Sequence, residues 1–149
     1  MAISSAICSS FKQELLQGKH SLDTSGNGGD TFKLAMYTSS ASLDATTTAY
    51  ATGNEISGSG YSAGGATLTN TGVGLNSTTA FTDFSDISFT SASFTANGCL
   101  IYNTTTAGGS GTTNAVCVIA LGGDKTVSSG TFTIQFPTND SSSAIIRLT

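Results

Sequence analysis

The chain has 149 residues, with one His, no Trp, three Cys, nine acidic and five basic residues, and a net charge of −4. Ser and Thr fill 48 positions and Gly another 18, while charged residues make up only 9%. Such a composition is short of acid–base, nucleophilic and metal-holding groups. It also excludes an electrostatic footprint for nucleic acid, because Lys12, Lys19, Lys33, Lys125 and Arg147 are scattered along the chain.

The length fits a single domain spanning 1–149, with enough apolar clusters to build a core. The low net charge separates the chain from disordered Ser/Thr-rich segments. No basic stretch followed by a long apolar run opens the sequence, and nothing approaches the roughly 18 apolar residues of a membrane span. The reading is a protein made in a cytosol, with no membrane partner.

The predicted elements begin with a helix within 1–20. Ile3, Ile7, Phe11 and Leu15 recur every fourth residue with Leu16 alongside, which makes one apolar stripe. Ser4 or Ser5 is placed to cap its start and Gly18 to stop it. The stripe must bury itself, against its own sheet or against another subunit, so Ile7, Phe11 and Leu15 are candidate interaction residues. Residues 21–30 read as a loop. Thr31–Thr38 alternates Phe32, Leu34 and Met36 with Lys33, Ala35 and Tyr37, a strand pattern.

Residues 39–78 are thin in large apolar side chains. They are expected to form a short helical turn near 43–50, an edge strand near 65–71 and extended arms between. From Thr79 onward the apolar pattern strengthens. Phe81 stands between Ala80 and Thr82, and Phe84, Ile87, Phe89 and Phe94 supply core. Gly98–Asn103 reads as a strand, 104–112 as a Thr/Gly loop, and Ala115–Leu121 as the central strand. Gly122–Lys125 is expected to turn the chain. Thr131–Phe136 alternates until Pro137, and Ala144–Leu148 closes the fold. About seven strands in this arrangement predict a mainly β protein, an antiparallel β-sandwich or jelly-roll-like domain with an N-terminal amphipathic helix and long Gly/Ser/Thr-rich loops.

Chemistry-bearing motifs are few. His20 with nearby Asp23 is the one start of a Ser-His-Asp arrangement, but it follows Gly18-Lys19 in a loop, where a solvated or capping imidazole is expected. His20 and the three dispersed Cys lack zinc-ligand spacing. Asp83 and Asp86 flank Phe84, a poor calcium loop, and are expected to cap a turn or face solvent. Gly58-x-Gly60-x-x-Ala63 fits the dinucleotide fingerprint in letters. No apolar strand precedes it, however, and Gly64-Gly65 disfavour the helix that should follow. No cofactor or metal is expected. Cys8, Cys99 and Cys117 read as small buried hydrophobes, and a Cys99–Cys117 bridge stays open if their strands pair.

Several segments together carry a resemblance. They are Phe11–His20, Asp30–Thr38, Thr48-Ala49-Tyr50, Glu55–Gly65, Phe94–Asn103 and Phe132–Pro137. As a set they resemble a group of small virion proteins of tailed bacteriophages, found in aquatic and cyanobacterial phages, of the capsid cement or decoration type. The resemblance spans nearly the whole chain and carries no catalytic residues. It implies a non-enzymatic structural protein made in the host cytoplasm and located on the capsid surface. The implied partners are the major capsid protein and further copies of itself, with a trimer the expected homo-oligomer. The alternative is a tail or fibre component that contacts a host surface glycan. Tyr50 and Tyr61, with Tyr102, would then be the aromatics that stack on sugar.

Overall fold

A computed structural model describes residues 2–24, 28–105 and 112–149. The chain is mainly β, with two antiparallel sheets and one short helix in a β-sandwich-like arrangement. Its elements are β1 (Ala6–Ile7), α1 (Ser9–Leu16), β2 (Phe32–Tyr37), β3 (Ala66–Thr67), β4 (Asn70–Asn76), β5 (Thr79–Phe84), β6 (Ile87–Asn103), β7 (Asn114–Ile134) and β8 (Ile146–Leu148). The larger sheet has the order β1-β7-β6-β2-β3 and the smaller β4-β5-β8. All the named strands pair antiparallel.

The N-terminal stripe divides between two kinds of structure. Of its four evenly spaced residues only Phe11 and Leu15 lie on α1, with Leu16 at its end. Ile7 belongs to β1, paired with Cys117, and Ile3 makes an isolated parallel bridge with Leu43. The four-residue spacing fits a helix, but backbone pairing with β7 holds residues 6–8 extended. Cys8 N–H donates to Val116 O at 2.9 Å, so the helix starts only at Ser9. Neither Ser4 nor Ser5 caps it; Ser5 Oγ instead accepts the Ala120 amide at 2.9 Å. The stop at Gly18 is borne out. Gly18 has φ 71°, its N–H donates to Leu15 O, and Lys19 N–H donates to Glu14 O, a Schellman closure.

β2 is buried on both faces, and its alternation carries no polar side. Phe32 meets Phe84 of β5 at 5.7 Å between ring centroids, and Phe84 meets Phe136 at 5.9 Å. These contacts join the two sheets. On the other side Tyr37 reaches into the 41–54 segment, where its hydroxyl donates to Ala51 O at 2.7 Å.

Residues 39–78 differ from the extended arm expected of them. Ala41, Leu43, Ile56 and Leu68 are buried, and the Ile56 and Leu68 amides donate to Met36 O and Phe32 O of β2. The helical turn expected near 43–50 is an irregular segment held by Asp44, whose carboxylate accepts the Thr46 amide and hydroxyl. The edge strand near 65–71 is β3, followed at once by β4.

The expected turn at Gly122–Lys125 is not a chain reversal. β7 runs on as one strand of 21 residues against β6. Between the pairs Gly98↔Ala120 and Ala96↔Lys125 it bulges, with Gly122 and Gly123 at positive φ. The glycines read as a turn from sequence because a wide bulge and a turn need the same left-handed residues.

Candidate functional site

The carboxylates and the single imidazole of the described residues are committed to bonds within the chain. His20 is buried, against the expectation of a solvated loop residue. Asn103 Oδ1 accepts the Thr105 amide, which leaves Asn103 Nδ2 to donate to His20 Nδ1 at 2.9 Å and to Asp30 Oδ2 at 2.7 Å. With Nδ1 an acceptor, His20 Nε2–H donates to Glu14 Oε2 at 2.7 Å. The ring also packs on Phe11, 4.9 Å between centroids. Glu14 Oε1 accepts from Asn114 Nδ2 and Asp30 Oδ2 from the Ser21 amide. The network ties α1, the segment at Asp30, β6 and β7. Both ring nitrogens are occupied, and Asp23 bonds the Thr24 amide instead, so the His20–Asp23 arrangement is absent.

Glu55 organises a second network. Its carboxylate accepts Tyr50 OH at 2.7 Å, Tyr61 OH at 2.6 Å and the Gly64 amide at 2.7 Å. Tyr61 OH also accepts the Met36 amide, and Tyr102 OH donates to Gly64 O. Tyr50 stacks on Tyr102 at 4.5 Å and 11°. Burial and the adjacent Glu55 carboxylate push the Tyr50 and Tyr61 hydroxyls above their ordinary range. Tyr61 packs on Phe89 and Phe94, with Phe132 beyond. The Gly58–Gly60 stretch explains itself here. A Cβ at either glycine would run into the backbone carbonyls of Ser93 and Thr90, so the motif serves close backbone packing on β6.

Asp83 is another correction. It neither caps a turn nor faces solvent; it is buried, and its carboxylate accepts the Phe84 and Ile145 amides, joining β5 to the start of β8. Burial raises its pKa above the ordinary carboxylate value. Asp86 Oδ1 accepts the Phe136 amide. The three cysteines are buried and free. The register sets Cys99 opposite Ile119 and Cys117 opposite Ile101, so they are not cross-strand partners. Burial raises Cys8 to about 11 and Cys99 to about 12. Thiolate is therefore disfavoured, and the thiols act as packing groups.

Two concave surfaces stand out among the described residues. The first is an apolar groove of about 680 Å³, whose lining includes Ile7, Val118, Phe132, Ile134, Phe136 and Ile145. Lys125 is its single charged lining residue. The groove lies along the outer side of β7. There β1 pairs only with Cys117 and Val118, and no strand among the described residues pairs with Ile119–Ile134 on that side. An open strand edge beside an apolar groove can accept a strand or apolar side chains of a partner. The second is a polar groove of about 600 Å³ whose lining includes Ser42, Thr46, Thr47, Thr48, Tyr50 and Asn54.

The sequence candidates fall in different places. Ile7 lines the apolar groove. Phe11 is buried in the core and Leu15 packs against it, so both are satisfied within the protomer. Tyr61 and Tyr102 are committed to the Glu55 network, and only Tyr50 borders an open groove. The groove at β7 escaped sequence reading because its walls come from β1, β7 and the stretch before β8, which no local pattern connects. Among the described residues, no three His, Cys, Asp or Glu side chains converge where a cation could sit. Comparison with protein families, with characterised proteins and with solved structures finds no match to this chain.

Proposed function

We propose that this chain is a non-enzymatic structural protein of a bacteriophage virion, a capsid cement protein that binds and stabilises the shell of major capsid protein as a homo-oligomer, most simply a trimer. The observation that carries this reading is the apolar groove along the open edge of β7, set on a scaffold whose carboxylates and single imidazole are held in internal bonds. The chain itself is rich in hydroxyl groups and low in charge. A protein built this way acts by contact. Many copies on a symmetric shell add weak contacts through high effective concentration. Because few charges are involved, binding weakens only slightly in moderate salt. The resemblance to phage cement and decoration proteins points the same way.

A second reading has one observation in its favour. Tyr50 borders a groove rich in hydroxyl groups, a setting suited to sugar, as expected of a tail or fibre component that contacts a host glycan. Gold-labelled antibody on intact particles separates the two. The cement reading requires label over the whole head, and label confined to the tail overturns it in favour of the glycan reading.

A further inference from the structure

The polar groove lies past the end of β2, where Tyr37 meets the 41–54 segment. One aromatic ring there is fixed from three directions. The Tyr50 amide donates to Thr113 O at 2.8 Å, the Tyr50 hydroxyl to Glu55 Oε2 at 2.7 Å, and one ring face stacks on buried Tyr102 at 4.5 Å and 11°. No other ring among the described residues meets it. Tyr50 is half-buried, and its open side borders the groove. Tyr37, Ala41 and Leu43, all buried, give the groove an apolar floor.

The rim is polar and unspent. Ser42, Thr48 and Asn54 are exposed, and their side chains have no hydrogen-bond partner among the described residues. Asn54 is held in place by its backbone alone. It stands at φ 63°, a conformation Asn tolerates better than most residues, and its carbonyl accepts the Thr38 amide at 2.9 Å and the Thr38 hydroxyl at 3.3 Å. Its side-chain amide is left to present a donor and an acceptor. The acids nearest in sequence face elsewhere. Asp44 is bonded to Thr46, Glu55 is enclosed by Tyr50, Tyr61 and Gly64, and no charged residue lines the groove.

An uncharged cleft of about 600 Å³ is within the size range of small-molecule sites. An anionic ligand would find no cation there. An acyl chain would cover the polar rim without pairing it, which costs free energy. A pyranose answers both halves of the surface, because its ring hydrogens form an apolar face and its hydroxyls both donate and accept around the edge. We infer that this groove binds a neutral saccharide, with the apolar sugar face on Tyr50 and the sugar hydroxyls on Ser42, Thr48 and Asn54. The stack on Tyr102 and the bond to Glu55 orient the Tyr50 ring before ligand arrives, which lowers the ordering cost of binding. The inference rests on the glycan reading of this groove above and narrows its ligand to uncharged sugars.

The test is the amide NMR spectrum of the full chain during titration with methyl glucoside, methyl galactoside, methyl mannoside and methyl N-acetylglucosaminide, with the methyl glycoside of sialic acid as the charged control. At least one neutral glycoside should give saturable shifts centred on residues 42–54, and the control none. Tyr50→Ala should abolish them, while Tyr50→Phe, which keeps the ring face, should retain binding. Thr48→Val and Asn54→Gly leave Tyr50 and its supports in place, and each should weaken binding by up to about tenfold; the dispersion of the same spectra checks folding. No shift from any neutral glycoside at its solubility limit overturns the site. Shifts centred elsewhere, binding that Asn54→Gly and Tyr50→Ala both leave unchanged, or a response to the sialoside alone overturns it as well. Place in the particle is read separately by the gold label. Tail label without sugar shifts keeps the tail assignment and overturns this site, and head label with sugar shifts removes that assignment and keeps the site.

Discussion

Glu55 accepts hydrogen bonds from two tyrosine hydroxyls and a backbone amide, and through them it fixes the 50–64 segment to β2 and β6. Bonds to a charged acceptor contribute roughly 1.5–3 kcal/mol each, and they are not additive. Glu55→Ala should therefore cost on the order of 2–4 kcal/mol in urea unfolding. Glu55→Gln should cost less, because one carbonyl acceptor remains while the amide opposes a donor. A loss below about 0.5 kcal/mol for the alanine variant, the range of an ordinary surface change, would show that the network is not a structural tie. Sequence reading singled out Tyr50 and Tyr61 as surface aromatics. It missed Glu55 because a hydroxyl pointing to solvent and one pointing at a carboxylate five or six residues away look alike in one dimension.

At the scale of elements, α1 is too short to be stable by itself and depends on the face it buries. Phe11 is 1% exposed and Leu16 92% exposed, though both sit on the same eight-residue helix. Phe11→Ala should cost about 3–5 kcal/mol, and Leu16→Ala should stay within about 0.5 kcal/mol, both read from urea unfolding. Equal effects would mean that the helix is not seated as described. The division of the stripe into β1 and α1 was not legible in the sequence. A spacing of four satisfies a helix, and only the distant strand at Val116–Val118 supplies the competing backbone partners. By contrast β2 and the Gly18 stop were legible, because alternation and a left-handed cap are local signals. The 41–68 stretch was misjudged for a related reason. Its few apolar residues, Ala41, Leu43, Ile56 and Leu68, are the ones that bury, and backbone bonds to β2 do the rest. Hydrogen exchange should find the Ile56 and Leu68 amides protected in the free protein. Exchange of both at the rate of an unstructured chain would restore the arm.

At the scale of the whole molecule, all four tyrosines and all three cysteines carry pKa values raised chiefly by burial. For an acid with a raised folded value, stability is full below its unfolded value and is lost as pH rises toward the folded one. The unfolded chain begins to ionise at the ordinary thiol value of 9.0 and phenol value of 10.0. Melting temperature should therefore hold from pH 7 to about 9 and fall above it. Tyrosinate absorbance should rise in a single step together with loss of the circular dichroism signal. A tyrosine that titrates near 10 while the fold persists would contradict the packing of Tyr37, Tyr50, Tyr61 or Tyr102.

The mainly β class and the sandwich-like layering were legible from turn-separated apolar runs. The groove and the two polar networks were not, because each is assembled from residues distant in sequence. On the proposed reading, such a body works through its surfaces. If those surfaces cement a shell, saturating protein stabilises the assembled state by mass action. The direct measurement is DNA release on heating, with adsorption measured in parallel, from particles with and without the protein. Particles lacking it should assemble and adsorb normally but release DNA at a lower temperature, and added protein should restore their heat resistance. Particles that keep full heat resistance yet fail to adsorb to cells would contradict the cement account.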